Sequence, residues 1–383
     1  MVSLAVFAGF PSVSTIAQSP LTVSRQMTIS AAEADLSLVQ TVRVSRSGRI
    51  AVLQPQDNAV RFFAADGTPE GRFGRAGDGP GEFRHMTTAG WIGDTLWVAD
   101  IATARITLIV GSTRNLAGTV PVPPSIVQIR GNERTVIGPG MVAARYPEGN
   151  LLSILLARLP PSAQPRRQGD TVSGAAIVRV GSTGAVVRPI AVAPDVPERC
   201  MKRVDPPAGA PAGRGGSIIT IPFCNAARTI ISSTGEYIGT TLVGENGYRV
   251  VLVRGATGDT VYAADFAPRP ARIPRTAIDS VRNRMLAAFA SRPEMVRAWR
   301  ALDFPRYYPL AGRLLVGDGG EVWIEEPTEA ATHSWRVLTP TGADRGHVVV
   351  PAGTVIIHPE ANGFWALVED PDGEQDLVRF AVR

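Results

Sequence analysis

A chain of 383 residues with 44% hydrophobic and 19% charged side chains is long enough to bury a large core. Its 39 glycines and 31 prolines demand many turns, which excludes a long-helix protein and suits an all-β fold run as one unit. The net charge of +5 raises nucleic acid as a partner. Against that, Lys202 is the only lysine and the arginines look scattered, with no run longer than Arg166-Arg167. A nucleic-acid surface is expected to show a clustered stripe interleaved with aromatics, so no nucleic-acid partner is expected.

The chain opens MVSLAVFAGFPSVSTIAQSP, with no charge before Arg25. The apolar stretch ends in small residues, Thr15 and Ala17, at the −3 and −1 positions of a cleavage site. Residues 1–18 therefore read as a secretory signal, and a periplasmic or secreted location is expected. The usual basic start is absent, which points to a start codon placed too far downstream. The run is too short for a membrane span, and no later stretch qualifies.

From here a repeat sets the organisation of residues 19–383. Residues 48–61 read GRIAVLQPQDNAVR, residues 93–105 GDTLWVADIATAR, and residues 235–249 GEYIGTTLVGENGYR. Residues 320–336 read GEVWIEEPTEAATHSWR and residues 363–379 GFWALVEDPDGEQDLVR. Each has a glycine turn, an apolar strand, a polar hairpin tip and an arginine opening the next strand. A weaker copy lies near Gly131, within RTVIGPGMVAARYPEGNLLSILLARL. A strand before the glycine and another after the arginine make four strands per copy. A period of about 40–45 residues with four strands per repeat predicts a β-propeller, and six copies predict six blades.

Between the first two copies stands GRFGRAGDGPGEF, residues 71–83. No Lys-Ser or Lys-Thr follows and no helix starts there, so it is not a phosphate cradle. It reads as the outer strand of blade 1 and the crossing to the innermost strand of blade 2. With that crossing in place, the run from Gly48 to Phe83 resembles an NHL-type repeat, and GDTLWVADIATARITLIV matches its core as well. The resemblance is strong over residues 40–110 and loose beyond. It implies the bacterial exported six-bladed propellers of NHL or TolB-like type. The last copy stops at Arg383 after its third strand. Residues 21–29, LTVSRQMTI, are therefore expected to supply the fourth and close the ring, which removes exposed sheet edges.

Two insertions interrupt the repeat. Residues 160–222 are rich in Pro, Gly, Ala and Arg. AAIVRVGSTGAVVRPIAV within them completes blade 3, and the remainder, 194–222, reads as a loop. Cys200 sits here and Cys224 just past its end, with no other thiol in the chain, and in an exported protein they are expected to form a disulfide. The second insertion, 274–303, carries Ile278, Val281, Met285, Leu286 and Phe289 at helical spacing. Pro293 divides it into two short helices, read as a flap on the disc or a lid over its centre.

Propeller sites lie at the channel mouth, on residues that begin the innermost strands. Gln40, His85, Ser125, Asn225, Tyr308 and Thr354 fall there. The NHL-fold lyases use three histidines on zinc at such positions, and lactonase-type propellers use carboxylates and asparagine on a divalent ion. Only His85 and Asn225 are of the right type, so no metal and no cofactor is expected. His333, His347 and His358 fall at a hairpin tip, an outer strand and the far end of an inner strand. Carboxylates recur where second strands meet solvent, at Asp57, Asp100, Glu325-Glu326 and Glu369-Asp370, and read as turn chemistry. In NHL-type repeats the arginine opening the third strand braces a neighbouring blade, so the resemblance implies that role for Arg61, Arg105, Arg249, Arg336 and Arg379, with an anion-binding surface as the alternative. No G-x-S-x-G elbow occurs. The function expected is binding, by a monomer, of a small polar ligand, a peptide or an envelope protein at the channel mouth near His85, Asn225 and Tyr308. A lyase or lactonase-like hydrolase is the alternative.

Overall fold

The computed structural model describes residues 20–122, 126–130, 133–137, 141–155, 174–206, 216–329, 332–369 and 373–383. The expected signal at 1–18 and Ser125 lie outside these residues. Six four-stranded antiparallel sheets form the blades of a propeller, with few helices.

Blade 1 runs through Thr41–Val44, Ile50–Gln54, Ala59–Phe63 and Pro69–Phe73. Burial follows position in the blade. The second strand is covered on both faces, so Ile50–Gln54 is buried throughout, whereas the outer strand Pro69–Phe73 is half open to water. This is why second strands read as near-continuous apolar runs and outer ones as polar. Blade 2 uses Met86–Ile92, Thr95–Asp100, Arg105–Val110 and Asn115–Pro121. Blade 3 uses Met141–Arg145, Leu151–Leu155, Gly174–Val180 and Val186–Pro194. Blade 4 uses Arg228–Ile231, Tyr237–Val243, Tyr248–Arg254 and Thr260–Phe266. Blade 5 uses Leu314–Val316, Val322–Pro327, Thr332–Leu338 and Asp344–Pro351.

Blade 6 closes the ring. Its strands Thr354–Glu360, Gly363–Glu369 and Gln375–Val382 are completed by Val23–Ile29, which pairs antiparallel with the C-terminal strand from Val23↔Val382 to Ile29↔Leu377. The N-terminal segment thus takes the place the sequence assigned to it. The crossing in GRFGRAGDGPGEF is also as expected. Phe83 is fully buried, and the ring of Phe83 lies where a Cβ on Gly74 would stand. Gly74 has φ 99°, so only glycine suits both the space and the backbone there.

Three expectations need correction. The turn that anchors blade 3 is at Gly149, which joins Met141–Arg145 to Leu151–Leu155. Gly131 lies outside the described residues, between the strands Ile126–Arg130 and Glu133–Ile137 of a separate hairpin. The remainder of the first insertion is more than a loop, since Met201–Val204 pairs with Ser217–Thr220. The arginine braces are mostly internal to a blade. Arg105 reaches the carbonyls of Asp78, Gly79 and Glu82 in the crossing, and Arg61 reaches Asp35 in the crossing from blade 6. Arg249 instead grips Asp265, Arg336 grips Glu326, and Arg379 grips Glu360, all within their own blades.

Candidate functional site

Gln40, His85, Asn225 and Thr354 lie at or just before a first strand, whereas Tyr308 lies in the neck of the second insertion, ahead of Leu314–Val316, and the residues do not converge. His85 precedes the first strand of blade 2 and is exposed; its backbone, not its ring, is engaged, donating to Asp100 Oδ2 at 2.8 Å. Gln40 is exposed beside blade 1, and Thr354 is buried at the head of blade 6. No hydrogen bond joins these three to one another or to the other candidates among the described residues.

Asn225 and Tyr308 lie on two segments that meet, through Leu310 and Phe223, and their work is structural. Asn225 Nδ2 donates to the Gly244 carbonyl at 3.2 Å, and its Oδ1 accepts from Leu310 N at 3.2 Å. One amide thereby ties both insertions to the hairpin tip of blade 4. Tyr308 stands edge-on to Phe223, with ring centroids 5.3 Å apart, and burial pushes its hydroxyl pKa up.

The two insertions leave and re-enter on either side of blade 4 and form a cap. Cys200 and Cys224 are joined in a disulfide, Cα atoms 5.5 Å apart, which closes the base of the first insertion. The second insertion has a closed neck, with Tyr308 N donating to Ala271 O at 2.9 Å and Ile273 N to Arg306 O at 3.0 Å. Its helices are Arg275–Ala288 and Pro293–Arg300, divided at Pro293 as expected. Met295, Trp299 and Leu302 pack with Val204 and Ile219 of the hairpin, joined by Val281, Met285, Leu286 and Phe289. Arg292 adds a hydrogen bond to Ser217 Oγ at 2.9 Å. The helices therefore pack on the cysteine-bearing hairpin, and Ile278 is not part of their shared core.

Between hairpin and helices lies an open cleft of about 490 Å³, lined mainly by apolar side chains that include Ile218, Phe223, Met285, Phe289 and Trp299. Ile218 is 59% exposed. Among the described residues, the only charged one in the lining is Arg284. The surrounding charge is one-sided. Residues 267–313 contain ten arginines and three carboxylates, net +7, so the other 336 residues carry −2 in total. The arginines are thus not scattered: the basic balance of the chain resides in the second insertion and its flanks, between blades 4 and 5. A search for runs of adjacent charges misses a cluster spread through two helices and their neck.

The carboxylates behave as turn and brace chemistry. Asp100 accepts four backbone N–H groups, from Arg84, His85, Ala102 and Thr103; burial pushes its pKa up, but these bonds hold it below the usual range. Glu326 accepts from Tyr248 Oη at 2.5 Å and Arg336 Nε at 2.8 Å, and lies 2.9 Å from His347 Nε2. Burial opposes its charge, yet His347 and Arg336 lower its pKa to about 2. Glu325 faces His333 Nδ1 at 2.6 Å, which raises the histidine pKa. Glu369 is exposed at a hairpin end, and Asp370 lies outside the described residues.

A second cluster, at the opposite ends of the first strands, has no counterpart in the sequence reading. Arg43 Nε donates to Ala89 O at 2.7 Å across blades 1 and 2. A Cβ on Gly90 would stand 2.9 Å from Ser233 O, so the first turn of blade 4 reaches past blade 3 to blade 2. Asp318, on the first turn of blade 5, accepts from Ser233 Oγ and from Thr234 N at 3.1 Å. A Cβ on Gly317 would lie 3.1 Å from Pro359 O, beside buried His358. Burial lowers the pKa of both Arg43 and His358, while Asp318 works to raise them. Five blades, all but blade 3, are bound together here by charge and backbone contacts near the axis. Among the described residues, no three His, Cys, Asp or Glu side chains gather as a metal set, and no helix is long and apolar enough to cross a membrane.

No family model matches the chain, and no curated protein matches it. Solved structures do, along most of both chains. A Bacteroides fragilis protein described as exported is 10% identical, covers 95% of each chain and gives a TM-score of 0.47. The aldose sugar dehydrogenase of Streptomyces coelicolor, in its PQQ-bound form, is 11% identical over 96% of this chain and 100% of its own, TM-score 0.42. Virginiamycin B lyase of Staphylococcus aureus is 10% identical over 95% and 100%, TM-score 0.38. At such likeness no activity passes from these proteins to this chain.

Proposed function

We propose that this protein is an exported binding module whose recognition surface is the cap on blade 4. The observation that carries the reading is the apolar cleft between the disulfide-bearing hairpin and the two helices. Isolated exposed apolar residues need no explanation, but a concave apolar surface rimmed by charge marks an interaction site. The ring supplies a rigid base, and Asn225 fixes the cap to it. The disulfide supports an oxidising compartment, periplasmic or extracellular. This reading moves the site from the channel mouth, where His85, Gln40 and Thr354 stand apart, to the cleft beside Phe223 and Tyr308.

A photo-crosslinking amino acid placed at Ile218 tests it in living cells. The expected result is a discrete adduct with another protein from position 218, and none from Val187, an equally exposed residue on the outer strand of blade 3. No adduct at 218, or the same adducts at both positions, counts against the cap.

A further inference from the structure

Resting on that reading, we infer that the cap recognises a polypeptide segment with an apolar centre flanked by acidic residues. The shape of the cleft sets the first half of the description. Met285, Phe289 and Trp299 face a recess between two walls, so the complementary group must protrude. Side chains of a peptide protrude; a bilayer presents a broad plane and would need apolar residues standing out from the protein. The apolar faces of the helices are instead turned inward onto Val204 and Ile219.

The charge sets the second half. Arg275, Arg284, Arg297 and Arg300 lie on the same two helices, are exposed, and are held in no ion pair among the described residues. With a net charge of +3 over residues 274–303 and +7 over the whole connection 267–313, this region attracts acidic partners and repels basic ones. The aromatics Phe223, Phe289 and Trp299 line the recess rather than an open platform, which suits an apolar anchor better than stacked bases.

The test pans a random-peptide display library on the full-length oxidised protein. Two exposed substitutions leave the core intact and serve as controls, Ile218→Asp in the cleft and Arg284→Glu at its rim. Enriched peptides should combine an apolar core with Asp or Glu on its flanks. They should lose binding to Ile218→Asp and weaken about five- to tenfold on Arg284→Glu and on raising salt. Enriched peptides that are neutral or basic, but still depend on Ile218, would leave the cleft as the recognition surface and overturn the acidic class. Peptides indifferent to both substitutions would overturn cleft and class together. Arginine-dependent co-sedimentation with vesicles of phosphatidylglycerol and phosphatidylethanolamine, or arginine-dependent binding of single-stranded DNA, without any Ile218-dependent peptide, would also overturn the proposal.

Discussion

Blades 5 and 6 and the cap are built on opposite plans. The two blades meet over Trp323, Trp335 and Phe364, all buried to within 1%, with Trp323 edge-on to Phe364 at 5.4 Å. The strands that carry these rings are hydrogen-bonded on both flanks, so backbone ladder and apolar burial reinforce one another. The cap has a two-stranded hairpin, two short helices and one small apolar cluster, and a covalent bond closes its base. Blade 4, which bears it, has tyrosines and a phenylalanine on its strands but no tryptophan. Where blades 2, 5 and 6 carry Trp97, Trp323 and Trp365 on the second strand, blade 4 has Gly239, its space filled by Val316, and the buried Thr240 and Thr241. An open apolar cleft leaves unburied the surface that a closed core would cover. The disulfide offsets the burial the cap forgoes.

The contrast breaks first at the tryptophans. Trp323→Ala should destabilise the whole ring by about 3–5 kcal/mol, since the cavity cannot collapse between two sheets. Urea unfolding followed by far-UV circular dichroism would show it. A loss below about 1 kcal/mol would mean that the blade interface is not the main store of stability.

Acid provides the next test. Glu326 has its pKa depressed from the ordinary 4.5 to about 2, so it stabilises the fold above the ordinary carboxylate range and ceases to as pH falls from about 5 to about 2. Linkage puts the loss at roughly 3 kcal/mol. Stability measured across that range should fall for the native protein and much less steeply for Glu326→Gln. Equal slopes would place the acid sensitivity elsewhere.

The blades were legible because their chemistry is local. A glycine turn, an apolar strand and a polar tip recur within some sixteen residues, as from Gly320 to Arg336. Blade 3 broke the pattern because Arg145, Tyr146 and Gly149 surround its first turn and no arginine follows at the usual distance. Ring closure was also readable, since a missing outer strand and a spare N-terminal strand complement each other. The axial cluster was not. Arg43, Asp318 and His358 come from three blades and meet only when residue 29 returns to residue 377. The cap cleft was hidden for the same reason, as its two walls lie on either side of blade 4 in the chain. The helices themselves were visible in their spacing. What faces them, the hairpin Met201–Val204 and Ser217–Thr220, reads as loop in the sequence because its short strands lie amid Pro, Gly and Arg.

The smallest global effect, and the sharpest separation of the two plans, should come from reduction. Opening Cys200–Cys224 releases a closure over 24 residues of sequence separation, worth about 3 kcal/mol in the chain-entropy account. That energy belongs to the cap alone, because no blade strand lies within the closed loop. Hydrogen exchange should therefore quicken at Met201–Val204 and Ser217–Thr220 on reduction and stay unchanged at Thr95–Asp100. The urea midpoint of the ring should not move. Asn225 still ties the second insertion to blade 4, so the helices should loosen later than the hairpin does. If reduction instead lowered the midpoint of the ring, cap and blades would form one cooperative unit. The cap would then be part of what holds the propeller together, and its open cleft would come at a cost to the whole fold.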